Sequence, residues 1–184
     1  HTKNTFKCVF KSKSLLWLMT AIMIVFCIQK MNREAYQLWY IALSAPAIAF
    51  GIAGSFIEGL GGLGGSLVKY LSSKRINIVL SILLGLASLA LSVGSNLWIT
   101  IAAQVLIAVV SGALLFHFTA QIQHQLPSRY RTGSGSVINA VGRIVLMPLT
   151  FVFGVLSNQS VFIAGWMLVV LSGLVLCVQL RRKE

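Results

Sequence analysis

Six long apolar runs alternate with short polar links along this chain. The runs occupy residues 14–39, 46–71, 76–95, 97–124, 132–156 and 160–180. Each reaches the roughly 20 residues that a helix needs to cross a bilayer. The links are of two kinds, and the kinds alternate. Lys3, Lys7, Lys11 and Lys13 precede the first run, and Lys69, Lys74 and Arg75 close the second. Arg129 and Arg131 follow the fourth, and Arg181, Arg182 and Lys183 end the chain. The links near Leu43, Gly94 and Asn158 carry neither Lys nor Arg. This is the positive-inside pattern of an even number of crossings. It predicts an all-α membrane protein with six transmembrane helices, multi-pass in the cell membrane, with both termini cytoplasmic. Residues 1–13 read as a cytoplasmic linker and 14–184 as one transmembrane domain. The opening His1-Thr2 and the basic stretch after it point to a piece cut from a longer polypeptide. Links 94–96 and 157–159 are short enough to make the runs they join antiparallel neighbours.

Within the runs, polar positions keep a helical period. Lys30, Arg33, Glu34 and Gln37 fall at i, i+3, i+4 and i+7, one face of a helix. This spacing favours one long first helix with a polar stripe over an outer loop beginning near Ile28, and Lys30 and Glu34 can pair across one turn. Glu58 lies near the middle of the second run, with Gly51, Gly54, Gly61, Gly62 and Gly65 on its face. Such a glycine stripe predicts close packing against another helix. Burial there disfavours the charged carboxylate, which suits a group that loads and releases a proton; the plainer alternative is a structural carboxylate satisfied by a neighbour. Arg143 lies near the middle of the fifth run, with Ser136, Asn139 and Thr150 on its face and Pro148 predicted to kink the helix beyond it. An Arg needs a carboxylate or an anionic ligand, and Glu58 is a candidate partner. His117, Gln121 and His124 form a further stripe at the end of the fourth run. Histidine titrates near neutral pH, but at this end it suits an interface or gate wetted by the cytosol. Trp17, Trp39, Trp98 and Trp166 stand near run ends, as interfacial anchors do. The third and sixth runs carry no charge and read as lipid-facing supports.

Composition narrows the class further. Hydrophobic residues make up 57% of the 184 and charged residues 10%, against roughly 25% charged in soluble domains. The net charge of +12 does not indicate nucleic acid, because the basic residues flank apolar runs rather than clustering on one face. Cys8, Cys27 and Cys177 have neither metal-ligand spacing nor the setting of a disulfide framework. No metal and no cofactor is expected. An intramembrane protease would need a Ser–His or metal constellation at membrane depth, and His117, the one His well inside a run, has no acidic neighbour to form one.

Six helices with both ends on one side, in two groups of three, resemble the C-terminal half of a major facilitator superfamily transporter. Two links carry the sequence likeness. Leu126-Pro127-Ser128-Arg129-Tyr130-Arg131 and the small residues from Thr132 to Ser136 look like that family's link between helices 10 and 11. Gly64-Gly65-Ser66-Leu67 through Ser72-Ser73-Lys74-Arg75 resembles its basic link between helices 8 and 9, without the family's Asp. The resemblance implies two three-helix inverted repeats, a cavity lined by the first, second, fourth and fifth runs, and an N-terminal six-helix half of the same polypeptide as partner. General texture lies nearest to the efflux-type drug/proton antiporters. The reading that follows is a secondary active carrier, not an enzyme, exporting a small molecule by alternating access coupled to protons. Its pathway residues would be Glu58, Arg143, Lys30, Arg33, Glu34, Gln37, Asn139 and His117. A non-catalytic membrane scaffold or channel subunit is the alternative.

Overall fold

The computed structural model describes residues 13–66, 74–126 and 128–181. Lys3, Lys7, Lys11, Lys69, Arg182, Lys183, Cys8 and most of the link between the second and third runs lie outside the described residues. Six helices follow in order: α1 (Lys13–Ala42), α2 (Ala47–Leu63), α3 (Lys74–Val93), α4 (Leu97–Gln125), α5 (Ser128–Gln159) and α6 (Val161–Arg181). All six are long and apolar enough to cross a membrane. α1 is continuous through Lys30–Gln37, so the helical spacing there wins over the outer loop.

The helix ends have local causes. After α1 the chain turns through Ser44 at φ 53°. The N–H of Ala45 bonds the Tyr40 carbonyl and that of Ser44 bonds Ile41. These two bonds form a Schellman closure with Ser in the place usually held by Gly. Pro46, extended at φ −65° and ψ 148°, then caps α2. The proline thus stands just before the first turn, where its missing N–H costs nothing. α2 continues as a tight turn over 64–66, giving roughly 30 Å of span from helical rises. The Asn96 side chain accepts from the backbone N–H of Trp98 at 2.9 Å and starts α4, as an N-cap does. The expected link 157–159 is helical instead. α5 runs to Gln159 and only Ser160 separates it from α6, its hydroxyl accepting from Phe162 N–H. α5 also passes through Pro148 without interruption.

α1 and α4 form the centre. Ile22, Val25 and Ile28 of α1 and Ile107 and Leu114 of α4 are fully enclosed. α3 and α6 pack on each other and close one side of the bundle. Their outer faces present Val79, Ile82, Leu86, Val170 and Leu174. Their shared face is unexpectedly polar. Gln179 donates to Ser81 at 2.7 Å, and the Ser88 and Ser172 hydroxyls meet at 3.1 Å. In lipid, van der Waals packing and hydrogen bonds of this kind hold helices together, because apolar surface gains little by pairing. Trp39 is also misplaced by the anchoring rule: it is fully buried and donates its indole N–H to the Leu91 carbonyl at 3.1 Å. Trp98 and Trp166 are exposed, as anchors would be.

α2 and α5 are the least covered helices. In the most apolar 18 residues of each span, 22% are buried in α2 and 11% in α5, against 67% in α1. The bundle therefore leaves one broad side open, and the charged side chains lie there.

Candidate functional site

α1 separates two cavities, and its polar stripe divides between them. On one side Arg33 projects toward α2 and pairs through its Nε with the Glu58 carboxylate. Arg33 lies nine residues before Ala42 and Glu58 eleven after Ala47. At 1.5 Å per residue both stand about 14–17 Å from the shared turn, near the middle of a hydrocarbon core of about 30 Å. The expected partnership of Glu58 with Arg143 is thus replaced by Arg33. Nor is Glu58 buried: the two side chains keep 53% and 49% of their surface. An ion pair this open contributes about 0–1 kcal/mol, too little to be explained as a stabilising tie.

The glycine stripe beside Glu58 packs closely in part. A methyl on Gly54 would meet the Tyr36 hydroxyl at 2.7 Å, and one on Gly61 would touch Ala108. Gly51 and Gly62 face open space. The tightest approach of α2 to α4 falls at Gly64, off the stripe.

The Arg33–Glu58 pair borders a cavity of about 230 Å³ closed by α4 through Ala108 and Phe116. Asn32 lines it as well, and the sequence reading passed over this residue. Its amide nitrogen donates to the Gln104 carbonyl at 3.1 Å, which fixes the amide's orientation. Its Oδ1 is buried with no donor among the described residues. The available signal was an Asn inside an apolar run, off the charged stripe.

On the other side of α1, Lys30 and Glu34 face Arg143 of α5 across a cavity of about 550 Å³. Arg143 lies fifteen residues after Ser128 and sixteen before Gln159, at the middle of α5. Gly142 beside it is buried, and a methyl there would lie 2.9 Å from the Phe26 ring of α1. Glycine thus brings the two helices together where the charges converge. Among the described residues the Arg33–Glu58 pair is the only ion pair, so Lys30, Glu34 and Arg143 share the cavity without pairing. The expected Lys30–Glu34 contact is not made.

The remaining candidates are dispersed. Gln37 is exposed and donates to the Tyr36 hydroxyl at 3.2 Å. Asn139 is exposed on the open side of α5, in line with Ser136 and Thr150. His117 turns the other way, toward α3. It is buried rather than wetted, with its Nε2 3.1 Å from the Asn77 amide and 2.8 Å from that of Gln121. It borders neither cavity. Cys27 is buried, Cys177 exposed, and both are free thiols. No family model matches the chain, and no curated protein is similar to it.

Proposed function

We propose that this chain is the C-terminal six-helix half of a secondary active carrier of the major facilitator type, exporting a small molecule by alternating access in exchange for protons. One observation carries the reading. Five charged groups, Lys30, Arg33, Glu34, Glu58 and Arg143, stand at membrane depth around the side that the bundle leaves uncovered. Each would cost about 3 kcal/mol or more against lipid. The five together therefore require water or a second protein body on that side. A second six-helix half closing over a wet central cavity meets this need.

In this reading Glu58 is the coupling carboxylate. It alternates between Arg33 and a proton, so that protonation releases Arg33 and changes the charge lining the pathway. Arg143 and Lys30 supply positive charge on the other side of α1. The basic residues of the alternate links support a cytoplasmic position for both ends in this reading.

The test needs no knowledge of the cargo. Asn139→Cys is introduced into the full-length protein with its native cysteines replaced, and a membrane-impermeant maleimide is applied to right-side-out and to inside-out vesicles. Alternating access predicts labelling from both sides, in proportions that shift when a proton gradient is imposed. A scaffold labels from one side or neither. A channel labels from both sides regardless of the gradient.

A further inference from the structure

The cavity between α1 and α5 has its own chemistry, distinct from that of the Arg33–Glu58 side. Its charged groups are Lys30, Arg143 and Glu34, a net charge of +1. Arg143 cannot be neutralised by losing its proton, and no carboxylate lies within ion-pair distance of it among the described residues. An unpaired guanidinium inside a helix long and apolar enough to span a membrane calls for an anion. Thr150 adds one hydroxyl, which donates to the Leu146 carbonyl at 2.9 Å, and the rest of the lining is apolar: Phe26, Leu146, Met147 and Phe151. Met147 and Phe151 are 71% and 74% exposed and extend the apolar wall outward along α5. A volume of about 550 Å³ lies within the roughly 300–1,000 Å³ of small-molecule sites. Gly142 fixes the spacing by letting Phe26 pack against α5 next to Arg143.

We infer that this cavity binds amphipathic monoanions, molecules with a carboxylate or phosphate head on an apolar body. The head is held by the Arg143 guanidinium, which matches a planar or tetrahedral oxyanion with paired N–H donors, and by the Lys30 ammonium. The apolar body lies along Phe26, Met147 and Phe151. Glu34 opposes any anion here and limits the affinity, so the site accepts one negative charge more readily than two. This names the cargo class of the carrier proposed above and rests on that reading only for the step from binding to transport.

The experiment is equilibrium binding of radiolabelled dodecanoate to the full-length protein in phosphatidylcholine nanodiscs. Saturable binding is expected, with dodecylammonium failing to compete. Arg143→Gln should weaken it by about tenfold or more, the equivalent of one charged hydrogen bond. Glu34→Gln should tighten it, a gain that no folding defect imitates. Equal competition by dodecylammonium, wild-type affinity in Arg143→Gln, or no gain in Glu34→Gln would each overturn the assignment. Doping the nanodiscs with phosphatidylglycerol separates the two sources of this chemistry. Displacement of dodecanoate identifies a lipid headgroup as the occupant, and its absence identifies a free anion; the site stands in either case. Binding without two-sided labelling of Asn139→Cys sinks the carrier reading alone. Two-sided labelling without anion binding sinks the site alone.

Discussion

Gly59 and Gly64 lie five residues apart and answer opposite demands. A methyl built on Gly64 would sit 2.6 Å from the Ala113 nitrogen and 2.7 Å from the Val109 carbonyl oxygen. Both are backbone atoms of α4 and cannot swing aside. A methyl on Gly59 meets nothing within 4 Å. Gly64→Ala should therefore destabilise the protein by about 1–3 kcal/mol, the usual cost of overpacking. Gly59→Ala should stabilise it by about 0.5–1 kcal/mol through helix propensity alone. Unfolding midpoints in mild detergent, measured side by side, check both; equal shifts would mean that α2 does not lie against α4 as described. The glycine-rich texture of this run is plain in the sequence, but which glycine carries the contact is not. Periodicity assigns a residue to a face and leaves open which neighbour covers that face and how closely.

The same limit explains what was and was not legible among the elements. The i, i+3, i+4, i+7 spacing of Lys30, Arg33, Glu34 and Gln37 identified a helix where charge density suggested a loop, because period is a local property. It could not show that Arg33 leans to α2 while Lys30 and Glu34 lean to α5. That division depends on where α2 and α5 stand around α1, and so the spacing leaves Arg143 a candidate partner of Glu58 where the structure pairs Arg33. Ser157, Asn158 and Gln159 read as a link because they are polar, yet nothing in them breaks a helix, and α5 continues through all three. The α1–α4 contact was hidden for a related reason: its polar groups are scattered singly through apolar runs. Gln104 is fully buried, donates to the Tyr36 carbonyl at 3.3 Å and accepts from the Tyr40 hydroxyl. Gln104→Leu leaves that hydroxyl enclosed without its acceptor and should cost about 1–3 kcal/mol. Adding Tyr40→Phe removes the stranded group, so the double variant should be more stable than the sum of the two single changes predicts. Strict additivity in a double-mutant cycle would mean that the two side chains do not interact.

At the scale of the whole molecule, twelve of the fifteen Lys and Arg stand in or beside the links between apolar runs, and the other three, Lys30, Arg33 and Arg143, stand inside helices long and apolar enough to cross a membrane. The three interior cations meet only two interior carboxylates, Glu34 and Glu58, and only Glu58 has a partner among the described residues. Half-exposed on the open side, that pair is easily separated, since little free energy holds it together. If Glu58 couples transport to the proton gradient, Glu58→Gln fixes the neutral state permanently. Net transport driven by the gradient should then fall to background. Exchange of labelled for unlabelled cargo across the membrane should persist, because exchange moves no net proton. Both are read in proteoliposomes of the full-length protein, with a protonophore as control, and dodecanoate is the first cargo to try. Gradient-driven transport at the wild-type rate in Glu58→Gln would remove the proton from this carboxylate and leave the Arg33–Glu58 contact as a plain tie between α1 and α2. Loss of exchange together with gradient-driven transport would place Glu58 in cargo binding instead, on the side of α1 opposite Arg143.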